Sequence, residues 1–269
     1  MEETMSTVLI RGDQTIAYHL SGPEEAPVLM LITGLAGLKE GWYHQVSYFQ
    51  ERCRVLTFDN RGLGGSSLVD AEASIADFAE DAVLLLDALG IERAHVWGVS
   101  MGGKVAQELA LRWPERVERL VLENTSTGEA RRVEGHQPSP LRAMEGADAE
   151  TWQREIVPLL FGRAYYEANP GAMRAFARSR ERRPPNPRAV DIQWGAYEAF
   201  DSWERLPQLS APTLCLTGAE DALCDPRNAD LLAERIPNAR VEHVPEGGHS
   251  VHIELPKVVN PLVAEFLGL

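Results

Sequence analysis

Short apolar runs alternate with amphipathic stretches along most of this chain, and this alternation constrains the fold more than any other feature. The runs PVLMLITG (27–34), VLTFD (55–59) and AHVWGVS (94–100) are apolar almost throughout, which is typical of strands buried on both faces. VERLVLEN (117–124), PTLCLTG (212–218) and ARVEHVP (239–245) are further strand candidates. Strands that alternate with helices predict an α/β fold, a mostly parallel sheet of about eight strands with helices on both faces.

Turn and cap signals divide the chain into elements. Two β-like runs, 7–10 and 15–20, flank Gly12-Asp13 and predict an N-terminal hairpin. A helix is predicted from about Ile75 to Leu89, with Ser74 as its N-cap and Gly90 as its stop. MGGKVAQELALR (101–112) predicts a second helix, and a last helix is expected from about Val251.

Residues 128–206 break this rhythm. The interval contains helical pieces such as AETWQREIVPLLF (149–161), a proline-rich stretch ERRPPNP (181–187) and no β-strand pattern. We therefore predict a helical cap over 128–206, inserted into a core formed by 1–127 and 207–269.

Composition excludes several classes of protein. The chain has 269 residues, 44% hydrophobic and 25% charged, and a formal net charge of -14, so neither a basic nucleic-acid footprint nor attraction to anionic membranes is expected. It has no apolar run long enough for a membrane span and begins without a secretory pattern. Its 3 cysteines lack CxxC spacing, which indicates reduced thiols in a cytoplasmic protein and neither a disulfide framework nor a metal site. No oligomeric state is indicated.

The segment GVSMGG (98–103) is the strongest chemical signal. A strand leads into it and a helix leaves it, so the central Ser100 is expected in a strained turn with its hydroxyl above the sheet. Small residues at 98 and 102 let the strand and the helix approach closely. Ser100 is therefore the candidate nucleophile.

A serine hydroxyl needs a base to take its proton. His249 lies in EGGH (246–249), a loop after the last predicted strand and at the same sheet edge as Ser100. His252 is the nearest rival, at the start of a helix, and His243 lies within a strand. We predict His249 as the base.

The base needs an acid that orients it. Asp221 follows PTLCLTG at the same edge, and the order Ser100, Asp221, His249 is the Ser…Asp…His order of one particular fold. Glu220 and Asp225 are neighbouring alternatives, and Glu123 ends the preceding strand. The oxyanion of an attacked carbonyl needs preorganised donors, for which we predict the backbone N–H groups of Met101 and Leu35.

The whole chain resembles the α/β-hydrolase fold superfamily. The matching segments are ITGLAGLKEGW, FDNRGLGGSS, WGVSMGG, RWPERVERLVL, APTLCLTGAEDALCDP and VPEGGHSVHIELP. The pattern is most similar to members of the 3-oxoadipate enol-lactonase-like and carboxylesterase group, where Glu123 is a position from which some relatives supply their acid. Many relatives have His-Gly in the oxyanion loop, whereas this chain has Thr33-Gly34.

The resemblance implies a serine hydrolase that cleaves a small-molecule carboxylic ester or lactone through an acyl-serine, without a cofactor or a metal. C–C bond hydrolysis or perhydrolysis by the same triad, or a receptor-like protein with little turnover, are the alternatives. Aromatic residues of the cap are expected to include pocket-lining residues: Trp152, Phe161, Tyr165, Tyr166, Phe176, Trp194 and Tyr197. The run Arg174, Arg178, Arg180, Arg182, Arg183 and Arg188 predicts either a solvated face or an entrance that binds carboxylates.

Overall fold

A single sheet of eight strands forms the centre of the computed structural model, which describes residues 6–128, 133 and 149–269. The strands are β1 (Ser6–Arg11), β2 (Gln14–Ser21), β3 (Val28–Ile32), β4 (Arg54–Phe58), β5 (Ala94–Val99), β6 (Val117–Glu123), β7 (Thr213–Gly218) and β8 (Ala239–Val244). Their order in the sheet is β1-β2-β4-β3-β5-β6-β7-β8. The β1–β2 and β2–β4 pairs are antiparallel and all others are parallel. The predicted fold class is confirmed.

The helices connect these strands. They are α1 (Tyr43–Phe49), α2 (Ile75–Ala88), α3 (Met101–Arg112), α4 (Ala149–Thr151), α5 (Val157–Leu160), α6 (Arg163–Ala168), α7 (Pro170–Arg182), α8 (Pro187–Ala199), α9 (Arg227–Arg235), α10 (Val251–Glu254) and α11 (Pro256–Leu267). A π-helical turn, Trp152–Ile156, joins α4 to α5. None of these helices is long and apolar enough to cross a membrane.

The central strands bury both of their faces. In β3, Met30 and Ile32 pack into a cluster with residues of α2 and α3, whereas Leu29 and Leu31 pack into a second cluster with α11. Successive side chains of a strand point to opposite faces, so an unbroken apolar run fills two cores at once. This explains why the predicted strands are apolar without alternation.

The predicted element boundaries agree with the structure at the hairpin and at α2. The Ser74 amide donates to the Asp77 carboxylate at 2.8 Å, which completes a capping box at the start of that helix. The C-terminal helix predicted from about Val251 is wrong in one respect, because it is two helices that are interrupted at Leu255. Pro256 lacks an amide hydrogen and restricts the residue before it, so α11 begins anew there.

The interval between β6 and β7 is helical where the structure describes it. Helices α4 to α8, which we call the helical segment (149–199), contribute no strand to the sheet. An antiparallel bridge between Gly128 and Asp201 brings the two ends of the interval together. Of the predicted cap over 128–206, residues 129–132 and 134–148 lie outside the described residues, and the division into core and cap stays a prediction.

Candidate active site

Ser100 occupies the sharp turn between β5 and α3. Its φ of 55° and ψ of -118° lie in a region that residues other than glycine rarely adopt. Close backbone approaches produce this turn: a Cβ on Gly98 would strike the backbone of Gly102, and a Cβ on Gly102 would strike the carbonyl of Ile32. The Ser100 amide donates to the carbonyl oxygen of Glu123 at 2.9 Å. The strained serine is thus held between β3 and β6.

Substitution of Gly102 by alanine is expected to destabilise the fold. The new Cβ would meet the carbonyl groups of Ile32 and Thr33, and backbone atoms in a central strand cannot move aside cheaply. Overpacking of this kind costs about 1–3 kcal/mol, which lowers Tm by about 2–4 °C per kcal/mol in a chain of this size. Thermal unfolding followed by circular dichroism measures the shift. Gly171→Ala is the control, since a Cβ there meets no atom within 4 Å; equal Tm changes in the two variants would contradict the close-approach argument.

Asp221 and His249 form a buried pair at the carboxyl ends of β7 and β8. The Asp221 Oδ2 atom lies 2.8 Å from His249 Nδ1. The other carboxylate oxygen, Oδ1, accepts the amides of Leu223 and Cys224 at 2.8 and 2.9 Å. These two amides fix the carboxylate, and the carboxylate in turn orients the imidazole ring so that Nε2 is the nitrogen left for other partners.

The environment of His249 shifts its pKa. Burial by itself lowers the pKa of the imidazole, because it disfavours the charged ring, but the Asp221 carboxylate beside the ring outweighs this effect. The pKa of His249 is therefore raised above its ordinary value of 6.5. A raised pKa means that the protonated ring stabilises the fold at low pH, and this contribution is lost as pH rises through the shifted value.

The pH profile follows from the same shift if His249 is the base. Only the neutral imidazole can take a proton, so kcat/KM is expected to rise with pH along a limb whose midpoint lies above 6.5. Asp221→Asn should move this midpoint downward, because it removes the charge that raises the pKa. Initial rates in buffers of constant ionic strength measure the limb. A profile that is flat from about pH 5 to 8 would exclude His249 as the base.

Asn124 joins the loops that carry the pair, and no sequence motif points to it. Its Nδ2 donates to the carbonyl of His249 at 2.7 Å, and its Oδ1 accepts the amide of Gly218 at 2.9 Å. Asn124 is 2% exposed and has a φ of 45°. An amide side chain offers donors and an acceptor at once, so one residue at the end of β6 ties the ends of β7 and β8 together. In the sequence, the only indication of Asn124 is its position directly after the predicted strand that ends in Val121-Leu122-Glu123.

The rival histidines lie elsewhere. The carboxylate of Glu123 is fully buried and accepts from Trp97 Nε1 at 2.8 Å. It also lies 2.6 Å from His252 Nδ1, so Glu123 and His252 are partners of each other. His243 lies 3.1 Å from Asp230 on the surface. None of these side chains lines the cavity that contains Ser100.

The rival acids also have other partners. Asp225 binds the guanidinium of Arg227 at 2.6 Å, and the Glu220 carboxylate accepts the amide of Arg163 at 2.8 Å. Of the acids that the sequence offered, Asp221 is the one that contacts His249.

The loop after β3 lies against the serine. A Cβ on Gly34 would come within 3.2 Å of the Ser100 Cβ, and Leu35 lines the same cavity as Ser100. In the described part of the chain, the amides of Leu35 and Met101 donate to no other protein group. Met101 is the first residue of α3, where the helix dipole favours negative charge. Two unengaged donors beside one hydroxyl can stabilise an oxyanion.

A small cavity of about 20 Å³, room for about one water molecule, lies beside Ser100 and His249. Its lining residues are Leu35, Ser100, Trp194, Tyr197, Leu223, Cys224 and His249. Of the aromatic residues predicted as candidates, Trp194 and Tyr197 on α8 reach the cavity. Phe161, Tyr165 and Phe176 pack instead within the helical segment. Leu223 and Cys224 had no sequence signal, because they reach the cavity only through the turn that follows Asp221.

The arginine run is on the surface where its side chains are described. Arg188 pairs with Asp70 and Glu72, at 2.8 and 3.2 Å, and Arg183 pairs with Glu40 at 3.3 Å. The side chain of Arg180 lies outside the described residues. No arginine lines the cavity just described. The contacts of Arg183 and Arg188 favour the solvated face over a carboxylate-binding entrance.

A short turn, 160–163, anchors the helical segment to both loops of the acid–histidine pair. The Leu160 carbonyl accepts the amide of Ser250 at 2.8 Å, and the Gly162 amide donates to Glu254 at 2.7 Å. Glu254 also accepts the amide of Gly248, at 3.0 Å. Burial raises the pKa of Glu254 to about 7 against the effect of these amides. Together with the contact between Arg163 and Glu220, the turn makes the helical segment part of the frame around the site.

Comparison with known proteins agrees with this geometry. Residues 27–256 match the profile of a family described as the alpha/beta hydrolase fold. The chain belongs to the α/β hydrolase family.

Similar proteins match nearly the whole length of this hydrolase. RutD of Caulobacter sp. (strain K31), assigned as a carbamate hydrolase, is 30% identical over 93% of this chain and 94% of its own. The 3-oxoadipate enol-lactonase 2 of Acinetobacter baylyi is 27% identical over 95% of this chain and 94% of its own. The crystal structure of the enol-lactonase from Burkholderia xenovorans LB400 is 26% identical, with a TM-score of 0.84 over 95% of this hydrolase and 97% of that chain. The predicted resemblance to enol-lactonases is thereby confirmed.

Proposed function

We propose that this hydrolase cleaves a small carboxylic ester or lactone through an acyl-serine intermediate. One observation carries the proposal: Ser100 and His249 line the same cavity, and Asp221 holds His249 by its Nδ1 atom at 2.8 Å. A nucleophile, a base and the group that orients the base are the parts that acyl transfer by a serine requires.

The first half of the reaction acylates the serine. His249 takes the proton of the Ser100 hydroxyl as its oxygen attacks the substrate carbonyl carbon, and the Leu35 and Met101 amides donate to the resulting oxyanion. The carbon–oxygen bond to the leaving group then breaks. His249 gives the proton to the departing alkoxide, which leaves as an alcohol, or stays attached as a hydroxyl if the substrate is a lactone.

The second half regenerates the enzyme. A water molecule gives a proton to His249 and attacks the acyl carbon, so that a second oxyanion forms in the same place. The bond between the acyl carbon and Ser100 breaks, the serine recovers its proton from His249, and the carboxylic acid leaves. Every step is accounted for by the side chains and amides already described.

The cavity lining supports an uncharged substrate. Among the described residues that line it, none carries a carboxylate, an ammonium or a guanidinium group. Leu35, Trp194 and Leu223 offer apolar surface, and a cavity with room for about one water molecule favours a short acyl group over a long one. A substrate with a free carboxylate near the reacting carbonyl would be desolvated there without a cationic partner, which is costly.

A carbamate is the second candidate substrate. The likeness to RutD favours it, since that relative is 30% identical over most of this chain. A carbamate offers the same kind of carbonyl to Ser100, and its attack needs the same oxyanion donors. It differs from an ester in having a nitrogen on the carbonyl carbon, which makes that carbon less electrophilic.

A substrate panel tests both candidates. Acid release is followed with a pH indicator for acetyl, butyryl and hexanoyl esters, for γ-lactones and for a dicarboxylic enol-lactone. Ammonia release is followed for an alkyl carbamate of matched size, because the carbamic acid that it yields decomposes to ammonia and carbon dioxide. We expect the best turnover with short, uncharged esters or lactones. Preference for the carbamate would select the second candidate, and preference for the dicarboxylic lactone would contradict the argument from the cavity lining. The proposal would be overturned if no member of the panel were turned over in a way that depends on Ser100.

A further inference from the structure

Ala36, in the loop after β3, has a backbone conformation that is costly for its residue type. Its φ is 54°, in the left-handed region that favours glycine, and it is buried. Its amide donates to the side-chain oxygen Oε1 of Gln193 at 2.8 Å. Gln193 lies on α8, 157 positions along the chain, and is completely buried. A distant residue of the helical segment thus holds a strained residue next to Leu35.

Gln193 accepts from the Ala36 amide but leaves part of its own side chain unsatisfied. Its second polar atom, Nε2, is buried and has no hydrogen-bond partner in the described part of the chain. A buried donor without a partner destabilises a fold, so stability alone does not account for an amide side chain at this position. One hydrogen bond thus joins a residue with a strained backbone, Ala36, to a side chain with an unsatisfied buried donor, Gln193. Both features destabilise the folded state, and such features cluster at functional sites.

Both residues of this hydrogen bond have neighbours in the chain that line the cavity at Ser100. Leu35, the neighbour of Ala36, lines the cavity beside Ser100 and carries one of the two amides proposed to bind the oxyanion. Trp194 and Tyr197, on the same helix as Gln193, also line the cavity. Trp194 also packs in one apolar cluster with Ala36. The wall that meets the substrate and the loop that binds the oxyanion are therefore joined through Gln193.

We infer that Gln193 is a positioning residue that sets the orientation of the Leu35 amide through its hydrogen bond to Ala36. This inference rests on the proposed function, because it assigns Gln193 to the oxyanion hole of that reaction. The position of α8 then determines whether the hole is assembled. Substrate contacts with Trp194 and Tyr197 act on the hole along the same path.

The test compares Gln193→Met with Gln14→Met. Methionine keeps the length of the side chain and removes the acceptor. Gln14 is also a buried glutamine, and its Nε2 donates to Asp81 at 3.0 Å, away from the cavity, so its substitution controls for the loss of a buried hydrogen bond. Gln193→Asn is the second variant if methionine prevents folding, since it keeps an amide but shortens its reach by one methylene.

The readouts report on the oxyanion hole and not on fold stability alone. A fluorophosphonate labels Ser100 by forming a serine–phosphorus bond as fluoride leaves, with the phosphonyl oxygen in the hole. A trifluoromethyl ketone binds as a hemiketal whose oxygen occupies the same place. Removal of one oxyanion donor costs about 10²–10³ in rate, so misplacement of the Leu35 amide should slow labelling by about tenfold or more. In the Gln193 variants, kcat and the affinity for the ketone should fall together with the labelling rate, whereas KM should change little. In the Gln14→Met control, all of these quantities should stay close to their wild-type values.

The outcomes separate this inference from the proposed function. If wild type is labelled at Ser100 but Gln193→Met, or Gln193→Asn in its place, is labelled equally fast and binds the ketone equally well, Gln193 only fills space and the inference is wrong. If fluorophosphonate does not label wild-type Ser100, the proposed function fails and the inference falls with it. Slower labelling in the Gln193 variants alone supports both.

Discussion

Ser100→Ala is expected to lower kcat for the best ester or lactone by a factor on the order of 10⁶. The substitution removes one oxygen atom, and only the oxyanion donors and substrate binding remain to accelerate the reaction. The strained turn that holds residue 100 is built by Gly98, Gly102 and Ile32, so the fold should tolerate alanine. Acid release with the purified variant, together with its Tm, measures both effects.

Ser250→Ala is the matched control for this substitution. Ser250 adjoins His249 and is 8% exposed, but its side chain makes no cap hydrogen bond to α10. We expect its kcat to stay within about tenfold of wild type, as for substitutions that leave the reacting groups in place. A Ser100→Ala variant that keeps wild-type turnover would exclude Ser100 as the nucleophile. Loss of turnover in Ser250→Ala alone would indicate that the reaction depends on Ser250 and not on Ser100.

Asp221→Asn is expected to lower kcat by about 10⁴ while leaving the local structure intact. The asparagine Oδ1 can still accept the amides of Leu223 and Cys224. Its NH₂ group would then face His249 Nδ1, which must become an acceptor, so the ring proton moves to Nε2. A ring that carries its proton on Nε2 cannot take one from Ser100. Steady-state kinetics on the substrate that the panel selects measures the loss.

Glu123→Gln decides between the two acids that the sequence offered. Glu123 contacts His252 and Trp97 and does not contact His249. Its substitution should therefore change kcat by less than about tenfold, whatever it does to stability. The opposite ranking, with Glu123→Gln inactive and Asp221→Asn active, would place the orienting acid at the end of β6.

The location of Ser100, Asp221 and His249 at one edge of the sheet could be predicted from sequence because each follows a recognisable strand. Parallel strands end at a common edge of the sheet, so residues far apart in the chain meet there without any knowledge of packing. The strands are recognisable because both of their faces are buried, which leaves continuous apolar runs such as 28–32 and 94–99. Placing these three residues at the same edge needed no further information.

Asn124 and Gln193 could not be predicted in this way. Each acts through hydrogen bonds to backbone groups about 94 to 157 positions away, and no local pattern records such a pairing. The lining residues of the helical segment show the same limit. Trp194 and Phe176 are both aromatic residues on helices, yet Trp194 reaches the cavity and Phe176 packs against Phe161 within the helical segment. Helix packing decides this, and periodicity alone does not fix how helices pack.

The turn at 160–163 has a mechanical consequence. Its backbone is bonded to Ser250 and Glu254 on one side and to Glu220 on the other, so lifting it would pull apart the loops that hold Asp221 and His249. The loop at Ala36, in contrast, is bonded to the helical segment at α8, through Gln193. Two separate parts of the helical segment therefore support the two halves of the site, the acid–histidine pair and the loop that carries the Leu35 amide.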